Sequence, residues 1–167
     1  MNYIYELVNR LIEEHETRDP FEICRDIGVS CFVDDLGGLS GLFTYFGDDP
    51  VIIVSAALGD EDRRMACAHE LGHYFLHSAI AKENTLKEFE IFNMKDKVEY
   101  DANIFAAHLI IDEERALSLL RDGCDVFRTA MELRVDPNLL NIKLSELNSM
   151  GHRFDTDWGS TRLFSGG

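Results

Sequence analysis

Two histidines four residues apart, His69 and His73, with Glu70 directly after the first, spell H-E-x-x-H in this 167-residue chain. If the stretch is helical, positions four apart share one face, with Cβ atoms about 5–6 Å apart. That separation lets two imidazoles bind one ion. Glu70 then points to the side of the pair, where a carboxylate can take a proton from a water on the ion without binding the ion itself. The competing reading is a surface helix that carries two histidines by coincidence.

A catalytic zinc site takes three protein ligands and keeps one position open for water, whose pKa the ion lowers to about 7. A third ligand must therefore lie elsewhere. His15, His77, His108, His152 and the carboxylates are the candidates. Glu99 is the best of these, 30 residues after His69 on a second helical stretch that can cross the first. Asn103, one turn beyond Glu99, can hydrogen-bond the far ring nitrogen of a ligand histidine. His77 lies two turns beyond His69, and three ligands in line on one straight helix surround an ion poorly. It is read as a structural or supporting residue.

The elements that must position these residues can be read from periodicity and punctuation. Ile4, Leu7, Val8, Leu11 and Ile12 recur at helical spacing. Asp19-Pro20 opens a short helix to about Asp26, and Gly28 ends it. Strands are expected at Val29–Val33, Ser40–Phe46 and Val51–Ser55, the last two joined by Gly47-Asp48-Asp49-Pro50. Val51 to Val54 is apolar on both faces, as in a strand covered on both sides. The motif helix runs from Asp60 to about His77, with Met65, Ala68, Leu71 and Phe75 as its buried stripe. Gly72 inside it suggests a close backbone approach. No firm element is assigned to Ser78–Asp96, although Phe89, Ile91 and Phe92 suggest packed structure. Helices follow at Lys97–Ile110, Asp112–Arg121, Asp125–Arg134 and from Asp136 to Gly151. The last two have a helix-turn-helix layout that is better explained by packing. The expected fold is α+β, with helices on a small three-stranded antiparallel sheet and a C-terminal helical region. Residues 1–151 form one domain and 152–167 a tail.

The net charge of −15, from 16 basic and 31 acidic residues, and the lack of a basic cluster beyond Arg63-Arg64 disfavour nucleic-acid binding. No run approaches the roughly 20 apolar residues of a membrane span, and Met1–Arg10 lacks the apolar core of a signal peptide. Cys24, Cys31, Cys67 and Cys124 form no C-x-x-C pair and are read as small core or surface residues. Cys67 is not proposed as a ligand. A cytoplasmic location with reduced thiols is expected.

The string Ala68-His69-Glu70-Leu71-Gly72-His73-Tyr74-Phe75-Leu76-His77, followed by Glu99-x-x-Ala102-Asn103-x-Phe105-Ala106-Ala107-x-Leu109-Ile110, resembles the ImmA/IrrE-type metallopeptidases across roughly residues 20–150. The resemblance implies a zincin-like, gluzincin-type fold. It also implies a Zn²⁺ site of His69, His73 and Glu99, with Glu70 as base. Mn²⁺ or Co²⁺ also suits such a donor set. Members are encoded by bacteria, phages and mobile elements, and several cleave helix-turn-helix repressors. Ile110 and Ile111-Asp112 depart from the usual residues without touching the site, and no C-terminal extension of the kind found in the long DNA-damage-response members is expected. The implied function is hydrolysis of a peptide bond in a cytoplasmic regulatory protein, most simply such a repressor. The alternative is a non-catalytic, metal-containing regulator that binds the repressor intact. Tyr45, Tyr74 and Tyr100 are candidates for stabilising the oxyanion. The oligomeric state is not readable.

Overall fold

The structure, a computed structural model, describes the backbone of residues 3–83 and 92–154 and the side chains of residues 3–79 and 97–154. Phe89, Ile91 and most of the expected tail lie outside the described residues. The described elements run α1 (Tyr3–His15), α2 (Pro20–Ile27), β1 (Ser30–Asp34), β2 (Gly41–Phe46), β3 (Asp49–Ser55), α3 (Asp60–Glu83), α4 (Phe92–Ile110), α5 (Glu113–Arg121), α6 (Val126–Leu133) and α7 (Pro137–Ser149).

Local chemistry sets most of the boundaries. The Asp19 carboxylate accepts from the Phe21 amide at 2.9 Å, Pro20 occupies the first helical position, and Gly28 closes α2 at φ 80. Asp112, Asp125 and Asp136 cap α5, α6 and α7 in the same way, each accepting from an amide in the first turn.

The sheet is mixed, not antiparallel. Its order is β1-β3-β2, with β1 parallel and β2 antiparallel to β3. Burial explains the order. Val51, Ile52 and Val54 are all buried, so β3 takes the central place, and β1 docks on its far side instead of extending a meander. The β2–β3 turn is also shorter than expected. Asp49 pairs with Phe46 and Pro50 with Tyr45, leaving Gly47 (φ 65) and Asp48 as a two-residue turn. Pro50 signals the start of a strand, where a missing N–H is tolerated.

α3 lies against the sheet on one side and α4 on the other, while α4 also meets α1 and α7. From Ile104 to Ile111 every residue of the chain is buried, as expected of a helix enclosed on all sides. Leu139, Leu140, Leu144 and Leu147 of α7 are buried. Each contributes about 1.5–3 kcal/mol by leaving water. α7 therefore packs on α4, and its partner α6 presents Phe127 and Met131 outward.

α4 carries one polar residue into this core. His108 is 1 % exposed. Its Nδ1 accepts from Lys143 Nζ at 2.9 Å, and its ring meets Tyr5 edge-on. Lys143 is held in turn by Glu113 at 3.2 Å. His108 Nε2 has no hydrogen-bond partner among the described residues. Burial, reinforced by the Lys143 charge, holds the His108 pKa down at about 3. The unfolded chain takes up this proton below about pH 6.5 and the folded chain does not until about pH 3. Stability from this residue is thus complete above pH 6.5 and is lost as pH falls towards 3. In denaturant titrations the wild type should lose about 2 kcal/mol more than His108→Gln between pH 8 and pH 5. Parallel pH profiles for the two proteins would remove His108 as the cause.

Candidate metal centre

His69 and His73 are brought together by helix periodicity, and their Nε2 atoms lie 3.1 Å apart. α4 supplies the third group. Glu99 Oε2 is 3.3 Å from His69 Nε2, and Oε1 is 3.6 Å from His73 Nε2. Bonds of about 2.05 Å to a tetrahedral ion place donor atoms about 3.3 Å apart. The three observed separations bracket that value.

The far ring nitrogens have polar partners of their own. His69 Nδ1 donates to Asn103 Oδ1 at 2.9 Å. His73 Nδ1 lies 3.2 Å from His77 Nδ1. Burial, then the neighbouring His73, holds His77 down at about 4, so at neutral pH it is uncharged and able to accept that bond. With an Nδ1–H on each ring, both Nε2 atoms are free to turn a lone pair towards an ion. The two Nε2 atoms and the Glu99 carboxylate converge on one point, where a shared positive charge, a proton or a metal cation, is held. The donor set therefore fits a divalent ion, with nitrogen and oxygen donors that suit zinc.

His77 reaches His73 because α3 is not straight. Its backbone at His77 is non-helical (φ −132, ψ 15), so the expected end of the motif helix is a kink, after which the helix continues to Glu83. Glu99 approaches because α4 lies unusually close. A Cβ at Gly72 would stand 3.1 Å from the Ala102 Cα and carbonyl oxygen and 3.2 Å from Phe105 Cβ. The close approach expected from Gly72 is thus observed.

Electrostatics at the site follow the same geometry. Burial lowers the His69 pKa, but the Glu99 hydrogen bond, the charges of Glu70 and Glu99, and Asn103 outweigh it, so the net shift is upward. The His69 and His73 hydrogen bonds hold Glu99 far below the usual carboxylate range. The negative potential that favours a proton on His69 equally favours a metal cation. Glu70 is 9 % exposed, and burial raises its pKa although His69 and His73 pull it down. A hydrogen bond from the Phe43 backbone also stabilises its charged form. A carboxylate raised in this way is better suited to accept a proton than one fixed in an ion pair.

Two supporting features escape a reading of the sequence. One is the Phe43 backbone bond. The other is Gly41, where a Cβ would come within 2.8 Å of Glu70 Cγ and 2.9 Å of Oε1. The Glu70 carboxylate occupies the space that a side chain at 41 would fill. The other histidines are engaged elsewhere. His15 pairs with Asp26, His108 with Lys143, and His152 stacks on Phe154. Tyr45 and Tyr74 both pack edge-on against Phe43, and Tyr100 lies in the field of Glu146 on α7.

The model of the IrrE N-terminal-like domain, Peptidase_M78, matches residues 24–145. The chain is 29% identical over 150 residues to Metallopeptidase ImmA of Bacillus subtilis (strain 168), covering 87% of this chain and 86% of that protein. It is 32% identical over 107 residues to Uncharacterized immunity region protein 2 of Bacillus phage phi105, covering 64% of this chain and 66% of that one. A solved structure, a Mycobacterium tuberculosis transcriptional regulator, shares the fold with a TM-score of 0.62 at 16% identity. That match covers 85% of this chain and 46% of the regulator.

Gly72→Ala tests the helix approach. Alanine favours an isolated helix by about 1 kcal/mol, but here its methyl meets the backbone of α4. The variant should be less stable than the wild type and bind zinc at least tenfold more weakly. A variant with raised Tm and unchanged zinc affinity would mean that the approach constrains nothing. Gly41→Ala should leave metal content unchanged and lower catalysis by displacing Glu70, measured as kcat at constant zinc occupancy.

The matched domain model spans most of this chain, and the chain belongs to the IrrE N-terminal-like domain family, Peptidase_M78.

Proposed function

We propose that this chain is a zinc-dependent endopeptidase with a zincin-like, gluzincin-type site. In this reading His69, His73 and Glu99 hold the ion, and Glu70 is the general base. Asn103 and His77 orient the two ligand imidazoles. The observation that carries the reading is the convergence of two imidazole nitrogens and a carboxylate, 3.1–3.6 Å apart, beside a second, buried carboxylate. A purely structural site has no use for that fourth group. Membership in a peptidase family supports the same conclusion.

When bound, the ion supplies Lewis acidity and lowers the pKa of a water. Mn²⁺ or Co²⁺ can substitute in such a donor set. Glu70 accepts the proton of the attacking water on a carboxylate oxygen and delivers it to the departing amine. Its raised pKa brings it nearer to the pH at which both transfers are efficient. Glu99 keeps 43% of its side-chain surface exposed, so the site has an open approach. β2 pairs with β3 along one edge, and its Gly41 lies against Glu70. An extended peptide added along the other edge of β2 would pass the base, with main-chain hydrogen bonds holding it.

The substrate in this reading is a cytoplasmic helix-turn-helix repressor of a phage or mobile element. Similarity to a phage immunity-region protein supports that choice. Residues 1–151 carry the activity as one domain, with 152–167 as a tail. The charge of −15 suits a basic protein partner and opposes direct nucleic-acid binding. No helix of the described residues is long and apolar enough to cross a membrane.

The direct test is to incubate purified protein with a helix-turn-helix repressor, taken from the adjoining genes where one is encoded there. Cleavage should appear with the wild type and fall by 10²–10⁴-fold in Glu70→Gln, which keeps its zinc. Glu99→Ala should hold one zinc equivalent fewer than the wild type and lose cleavage. Intact repressor held in a stable complex by the zinc-loaded wild type would instead establish the non-catalytic regulator. Equal zinc in wild type and Glu99→Ala would remove Glu99 from the ligand set.

A further inference from the structure

Three of the four cysteines, far apart in sequence, meet in space. Cys24 lies on α2, Cys31 on β1 and Cys67 on α3, and their sulfurs all lie within 4.8 Å of one another. The turn at Gly28 folds β1 back beside α2, with the Val29 amide donating to the Cys24 carbonyl at 2.8 Å. Cys67 reaches the pair from α3, as a fully buried residue. Cys24 and Cys67 are fully buried, whereas Cys31 is partly open to solvent. Asp19, whose charge acts on Cys24, is engaged in capping α2.

We propose that Cys24, Cys31 and Cys67 form a thiolate site for a thiophilic divalent ion, Zn²⁺ being the natural choice, separate from the His69–His73–Glu99 cluster. Three sulfurs about 2.3 Å from a tetrahedral zinc stand about 3.8 Å apart. That spacing is within the present limit of 4.8 Å. Sulfur-only donors favour soft ions over magnesium or calcium. The ion provides the charge that an apolar pocket lacks, and coordination deprotonates the thiols outright. The Cys24 and Cys67 thiols both favour the thiolate form of Cys31 through their hydrogen bonds. Entry is from the side of Cys31, where a fourth, exogenous ligand completes the tetrahedron. Such an ion ties α2, β1 and α3 together two residues before His69.

Cadmium is the probe, because its thiolate complexes give an ultraviolet charge-transfer band that imidazole and carboxylate complexes lack. The full chain is stripped with chelator, its four thiols are counted in the reduced state, and Cd²⁺ is added. The band should rise to one equivalent per chain in the wild type, and equally in Glu99→Ala. It should vanish in Cys31→Ser, whose partly exposed position tolerates the change, and persist in Cys124→Ser. In the Glu99→Ala background, zinc content should fall from one equivalent to none when Cys31→Ser is added. Absence of the band from the reduced wild type, or its survival undiminished in either Cys31→Ser or Cys67→Ala, overturns the site. Because the test is run in Glu99→Ala as well as in the wild type, its outcome is independent of the fate of the peptidase reading.

Discussion

The close approach of α3 and α4 is the constraint on which the rest of the molecule depends. Helix axes usually pack about 8–10 Å apart, depending on the side chains between them. Gly72 removes the side chain at the crossing, and the α4 backbone fills the space. Only then do Glu99 and Asn103, one turn apart on α4, both reach imidazoles on α3. The apolar length of α4 fixes this contact from behind, since α1 and α7 enclose it.

The sheet plays the complementary part. It supports the other side of α3 and brings the start of β2 over Glu70. The two carboxylates are thereby given opposite environments. Glu99 is half exposed and stabilised in its charged form by two histidines, while Glu70 is buried and shifted towards the neutral form. One holds a charge and the other can exchange a proton. This division follows from which element covers each carboxylate, not from residue type.

What was legible in the sequence follows the range of the interactions. Asp19-Pro20 and Gly28 act within a turn of the chain, so α2 was readable to within a residue. His69 and His73 are adjacent through helix geometry alone. Glu99 and Asn103 required the inference that an incomplete ligand set must be completed, and the structure places both beside His69. The direction of β1 was misread because a strand's own residues do not encode whether its neighbour runs parallel. The two-faced burial of Val51–Val54 did encode a central strand, which already argued against a simple meander. Gly41 was unreadable since its role is the lack of a side chain against a residue far along the chain. The cysteine cluster was unreadable for a similar reason, as separations of this kind carry no periodic signal.

The donors sit on either side of residues 74–98, and this has a consequence for chain entropy. An ion shared by His73 and Glu99 closes that segment into a loop, as a covalent bridge would. For a loop of a few tens of residues such closure restricts the unfolded ensemble by on the order of 3 kcal/mol. An ion in this position would therefore be a clasp as well as the reagent of the proposed reaction. On the proposed reading, the free energy of holding it would be shared between chemistry and retention of α4 against α3, so metal supply would bear on the stability of the domain as well as on its activity.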